Sequence, residues 1–268
     1  KISKAFLFLD SESSLNLLNI KGEVFNIPFN FNYKKKFGDF QTREINIRAK
    51  KLKLNILDTY GNGKDNDIGG KNILSFLNST INTDYKINDS KVVFNSSSSM
   101  INNTKAEYSG ELSINPFDLN LNINLGDYKL LKILNINLIL SELIKTELLF
   151  NDNISVNTSV TTTSNLKNHT FRKINFFFNI INGKINVNKT KFIINKIGSI
   201  ELGNSNIFFE NSKLTLNTDI VVDINNTDKL FSLLQTNKKF RKPIKNILIN
   251  LDYVFLTNQI KINNLNID

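Results

Sequence analysis

The chain has 268 residues, 34 Lys and Arg against 24 Asp and Glu, a formal charge of +10, no Cys, no Trp and one His. Without Cys there are no disulfides and no thiolate metal sites, and one imidazole without clustered carboxylates makes no recognised metal set. About one residue in six is Asn, a bias towards AT-rich codons that accounts for much of the Lys content; no aromatic platform accompanies the basic residues, so nucleic acid is not expected as a partner.

Residues 15–33 read as a strand, a break near Lys21-Gly22, and a second strand alternating through Phe25, Ile27, Phe29, Phe31 and Tyr33. A period of two places one face against an apolar medium and the other against water. Pro28 removes a ladder donor and points to an edge or a bulge. After the solvated turn 34–39, Ile45, Ile47 and Ala49 alternate, and the pattern restarts one residue out of phase at Leu52, Leu54 and Ile56. That slip reads as one long strand bent by a β-bulge.

Residues 60–72 form a Gly- and Asp-rich loop without the helical flanks or the twelfth-position acid of an EF-hand, so no calcium site is expected. Residues 73–77 fit a helical turn or a strand. Strands resume through Tyr85, Ile87, Val92 and Phe94, and 95–104 (NSSSSMINNT) reads as a second polar loop. Residues 106–125 then give a long strand with Leu112 and Ile114 on one face. Asn115-Pro116-Phe117 resets its phase, and Leu119, Leu121, Ile123 and Leu125 follow.

Residues 128–134 fit strand or helix, and 138–149 carry apolar residues at helical spacing, about three turns. From 171 to 224 the chain reads as a strand meander containing Phe176, Phe178, Ile185, Val187, Leu214, Leu216, Ile220 and Val222 on alternating positions. Asn182-Gly183 is its strongest hairpin signal, since both residues tolerate the positive φ of a type I′ turn; weaker turns are offered at Gly198, Gly203-Asn204 and Asn211-Ser212. A short helix is expected over about 228–235, capped by Thr227 or Asp228. Two last strands follow, with Ile249, Leu251 and Tyr253 alternating in the first. The tally is about a dozen strands and two or three short helices.

Catalytic signatures are missing. His169 sits in a polar loop, and there is no nucleophile elbow, P-loop or dinucleotide fingerprint. No enzyme activity, cofactor or metal is expected. The sharpest charge feature is Lys238, Lys239, Arg241, Lys242 and Lys245, read either as a solvated connection or as a contact for lipid phosphates. Each cation near an anionic surface contributes about 1 kcal/mol.

The stretches EYSGELSINPFDLNLNINL (107–125), LILSELIKTELLFNDNISVNTSV (138–160), FFFNIINGKINVNKTKFIINKIGSIELGNSNIFFENSKLTLNTDI (176–220) and LFSLLQTNKKFRKPIKNILINLDYVFLTNQIKINNLNID (230–268) resemble the C-terminal region of AsmA-like proteins, related to TamB-like and bridge-like lipid transfer proteins. The resemblance covers roughly residues 20–268. It implies a periplasmic protein of a Gram-negative bacterium, held to the inner membrane by an amino-terminal anchor outside this stretch. It further implies a long curled β-sheet whose apolar groove carries phospholipid or another acyl lipid in outer-membrane lipid homeostasis. The chain starts at Lys1 without a leader and has no run near the ~18 apolar residues of a span, so it reads as a piece of a longer protein.

The expectation is therefore a mainly β chain: a long curved antiparallel sheet forming an open groove or incomplete barrel, as one elongated domain with a possible subdivision at 126/127. The alternating apolar residues from Leu112 to Tyr253 would line the groove. Two other readings stand beside it, a structural or adhesive β protein with a closed core and a glycan-acting enzyme on a β scaffold with paired carboxylates.

Overall fold

A computed structural model describes residues 1–268 apart from 11, 13, 25, 38–40, 63–67, 89, 102, 127–149, 165–169, 211, 212 and 256. The chain is mainly β and divides into two compact units, Lys1–Asn115 and Pro116–Asp268. The expected helix at 138–149, the ambiguous 128–134, the loop of His169, the turn at 211–212 and residues 63–67 of the expected Asp-rich loop lie outside the described residues; the rest of that loop, 60–62 and 68–72, is strand.

The first unit contains β1 (Ile2–Asp10), β2 (Leu15–Val24), β3 (Ile27–Lys36), β4 (Thr42–Ala49), β5 (Leu54–Asn62), β6 (Ile68–Phe76), β7 (Ser79–Asn88), β8 (Lys91–Ile101) and β9 (Thr104–Ile114). Each pairs antiparallel with the next. Sequence reading misplaced several junctions. Lys21-Gly22 is no break: β2 runs through it, and Gly22 is small because a Cβ there would stand 2.9 Å from the Phe29 ring on the neighbouring strand. β3 is an interior strand, but its ladder with β4 starts only at Asn30, which leaves Pro28 where no donor is needed. The phase slip at Lys50-Lys51 is a turn and no bulge. Lys50–Leu52 form one 3-10 turn, Lys53 turns left-handed at φ 51°, and Ala49 pairs with Leu54 across a hairpin. The Ser-rich stretch expected as a loop is the far half of β8, with buried Ser96 and Ser99 hydrogen-bonded to each other at 2.7 Å.

The second unit contains β10 (Phe117–Leu125), β11 (Ile154–Thr163), β12 (Phe171–Ile181), β13 (Lys184–Asn186), β14 (Lys191–Ile194), β15 (Gly198–Glu210), β16 (Lys213–Ile224), helix α1 (Thr227–Leu233), β17 (Asn246–Val254) and β18 (Gln259–Ile267). Asn115-Pro116 is thus a turn between β9 and β10 where one bent strand was expected. β10 and β11 pair in parallel, and the other strand pairs here are antiparallel. Asn182-Gly183 makes the expected hairpin, with φ of 49° and 66°. Gly203-Asn204 is a bulge inside β15 and no turn, and Gly198 opens that strand.

Opposite the bulge, β13 and β14 form one strand interrupted at 187–190, and side chains replace the lost ladder. Thr190 Oγ1 accepts from the Phe177 N–H at 3.0 Å, Ser205 Oγ accepts from the Val187 N–H at 2.8 Å, and Asn188 Oδ1 accepts from the Ser205 N–H at 2.6 Å. Buried backbone groups need such partners. α1 starts one residue earlier than expected because Asn226 is its cap: Oδ1 accepts from the Lys229 N–H at 3.0 Å. Asp228 sits instead in the first turn, where its charge suits the helix dipole. Among the described residues β1 ladders only with β2 within its unit, and β18 only with β17, so neither unit is a closed barrel.

Candidate functional site

In the second unit the register settles which apolar residues share a face, since directly paired residues point to the same side. Leu119 pairs with Val156, which pairs with Ile180; Leu121 leads through Thr158 to Phe178, and Ile123 through Val160 to Phe176. Ile180 continues to Ile185, Ile185 to Ile207, and Ile207 to Leu216. Leu216 pairs with Tyr253, Ile220 with Ile249 and Val222 with Ile247, while Leu251 pairs with Thr218 and then Ile262. The candidates from Leu119 to Tyr253 thus fall on one apolar face crossing every strand from β10 to β18.

That face is graded. Phe178, Ile180, Ile185, Val187, Ile207 and Leu214 form a packed core, with Ile185 and Leu214 at 0% exposure; Phe150 and Phe255 pack against it. A second cluster joins Ile194, Ile197 and Ile224 to Leu230 of α1. Leu125 is also buried. Leu119, Leu121, Ile123, Phe176, Leu216, Ile220, Val222, Ile249, Leu251 and Tyr253 are half-buried. On β18 the face is open, with Ile262 58% exposed. The remaining two candidates belong to the first unit: Leu112 pairs with Val92 and is half-buried, and Ile114, at the tip of β9, is 71% exposed.

The other face of the second unit is polar and tied by amides. Asn217 Nδ2 donates to Asp252 at 2.7 Å, and Asn204 and Asn250 each donate to Asp219 at 2.7 Å. These hydrogen bonds hold the Asp219 carboxyl below its usual range, and those from Asn217 and Asn263, aided by Lys261, do the same for Asp252. Asn, unfavourable in strands by propensity, is tolerated where its amide finds a cross-strand partner, as at Asn204, Asn217, Asn250 and Asn263.

The first unit has an apolar face too, running through Ile20, Phe31, Ile47, Ile56 and Leu74. It carries a polar notch that sequence reading missed. Asp58 faces the same side, and the Tyr85 hydroxyl donates to its two oxygens at 3.1 and 3.0 Å while Asn72 Nδ2 donates at 3.2 Å. The Tyr85 ring lies over Gly70, where a Cβ would stand 2.4 Å from it. Burial first, and the Asp58 carboxylate second, push the Tyr85 phenol well up. Only the break in apolar alternation at Asp58 signals this notch.

The basic run lies after α1. Lys238 and Lys239 belong to a 3-10 turn and are exposed, as are Lys242 and Lys245. Arg241 is half-buried, its Nε donating to the Thr236 carbonyl at 3.0 Å. Leu233, Leu234 and Phe240 are exposed beside them, Phe240 at 66% with Lys239 Nζ 4.8 Å from its ring centroid. No group of three or more metal-ligating side chains occurs among the described residues, and no described helix is long and apolar enough to cross a membrane. No family model, no curated protein and no solved structure matches the chain.

Proposed function

We propose that the chain is a non-enzymatic lipid-binding segment of AsmA-like type, working in the periplasm of a Gram-negative bacterium in lipid traffic to the outer membrane. The observation that carries this reading is the register-aligned apolar face running from β10 to β18. A face of this extent normally meets a second protein layer or an apolar ligand. Its buried centre works as ordinary core. Its half-covered flanks, Leu119 to Ile123 and Val222 to Tyr253, are the part offered to acyl chains of phospholipid. Lys238, Lys239, Arg241, Lys242 and Lys245, with exposed Leu233, Leu234 and Phe240 beside them, combine cations for lipid phosphates with apolar groups for the headgroup boundary.

Native mass spectrometry and lipid extraction of the chain purified from a Gram-negative host test the proposal. Phospholipid should co-purify, and should be lost in Leu121→Asp and Val222→Asp variants that keep their circular dichroism. A folded chain free of lipid would overturn it and favour a closed structural domain.

A further inference from the structure

We infer a saccharide-binding site on the polar face of the second unit, argued without the lipid reading although Leu121, one of the groove candidates, also borders it. A concavity of about 510 Å³ lies across β10–β13, within the usual size of small-ligand sites. Its floor is a row of four amides in register: Asn120 pairs with Asn157, Asn157 with Asn179, and Asn179 with Asn186. At about 4.8 Å between strands, the row presents an amide at each step, comparable with the residue spacing of an extended oligosaccharide. Beside it runs a second row, Asn122, Ser159 and Phe177. Asn188 and Lys189 come from the interruption between β13 and β14, where Lys189 is left-handed at φ 66°.

The amides are oriented by one another. Asn157 Nδ2 donates to Asn120 Oδ1 at 3.0 Å, Asn179 Nδ2 to Asn186 Oδ1 at 3.3 Å, and Ser159 Oγ to Asn122 Oδ1 at 2.5 Å. An amide has two donors and two acceptor positions. Asn157 Oδ1, Asn179 Oδ1, Asn186 Nδ2 and Asn122 Nδ2 therefore keep capacity for a ligand. Two acceptors on β11 and β12 are flanked by donors on β10 and β13, a mixture that matches hydroxyl groups that both give and take a proton. Phe177 stands on a face of amides and hydroxyls, and its ring suits the C–H-rich face of a pyranose.

Competing ligands fit worse. An acyl chain would strip water from the amides without replacing their hydrogen bonds. A nucleic acid needs several cations along its phosphates, whereas Lys189 is the one charged residue of the lining. The same lining has no carboxylate, so binding and not hydrolysis is the chemistry on offer.

The whole chain would be titrated with cellotriose, maltotriose and triacetylchitotriose, using saturation-transfer NMR and calorimetry. At least one should saturate a single site and weaken at least tenfold in Phe177→Ala and in Asn179→Asp, the second preserving size and strand. Phe208→Ala, on the same polar face but outside the concavity, should bind as the parent does. Failure of all three sugars, binding that survives both substitutions, or equal loss in Phe208→Ala would overturn the inference. Phe177-dependent binding of an unstructured Asn-Gly peptide in their place would overturn the saccharide assignment.

Discussion

Replacing Ile185 with Ala and, separately, Ile262 with Ala reads the gradient of the apolar face directly. Both are Ile on the same face of the second unit, at 0% and 58% exposure. Ile185 pairs with Ile180 and Ile207 inside the core, on a strand of three residues. Truncating a fully buried aliphatic side chain costs about 2–5 kcal/mol, transfer and cavity together, and the tight surroundings here put Ile185 at about 3–4 kcal/mol on that scale. Ile262 has less than half its surface covered, so its loss is at most about 1 kcal/mol by area. Urea unfolding followed by circular dichroism resolves the two. With a slope of about 1–3 kcal/mol per molar, Ile185→Ala should lower the midpoint by about 1–4 M, and Ile262→Ala by a fraction of that. Equal losses would mean that β18 is covered in solution and that the gradient is wrong. A cost below about 1 kcal/mol at Ile185 would remove the core from the place assigned to it.

Asn226→Ala should destabilise the second unit by about 1 kcal/mol through loss of the α1 cap, seen as a lower urea midpoint; no change would mean that the Oδ1 contact contributes nothing. Gly183→Ala should be worse, because the residue is left-handed and its Cβ would stand 2.5 Å from the Phe150 carbonyl; a thermal midpoint equal to the parent's would refute the turn geometry. Tyr85→Phe should cost about 1–3 kcal/mol by leaving Asp58 short of its hydroxyl partner. The folded chain holds the Tyr85 proton above the phenol's ordinary 10.0. That stabilisation is full below the ordinary value and is lost as pH rises through the folded one. An alkaline absorbance titration should therefore show one phenol ionising only with unfolding, a step absent from Tyr85→Phe. At the acid end the sign reverses. Asp219 and Asp252 lie below the ordinary 3.8, so their contribution is full above that value and fades as pH falls through the folded values. Asp219→Asn with Asp252→Asn should flatten the acid limb of the stability curve, by a small amount since both carboxylates are solvated; an unchanged limb would refute the amide contacts.

The alternation of apolar residues was enough to read the mainly β class, the hairpin at Asn182-Gly183 and the positions of the late strands. Junctions were harder, for a physical reason. A phase slip is the same in sequence whether a strand bulges or turns back, and Lys53 turns left-handed without Gly or Asn to announce it, while in the turn Leu77-Asn78 the left-handed residue is the Leu. The expected dozen strands thus became eighteen among the described residues. Burial of Ser96 and Ser99 was equally hidden, because Ser looks like loop until a hydroxyl partner across the strand makes it core. At the candidate site, alternation identified which residues share a face, since Leu119 to Tyr253 fall together. It could not give the gradient of burial, which depends on the positions of Phe150, Phe255 and α1.

The single parallel pair among the described strands, β10 with β11, has a consequence for the order of assembly. Antiparallel neighbours can zip from a hairpin, and most pairs from β11 to β18 close only a short loop, β16 with β17 closing the longer stretch 225–245 that holds α1. β10 cannot join β11 that way. Its register with β11 requires closing the whole stretch between Leu125 and Ile154 before any ladder bond forms, and the entropy of that closure is spent ahead of its return. Docking of β10 onto β11 is therefore set apart in time from the zipping of the hairpin-linked strands, as the longest closure among the described strand pairs of the second unit.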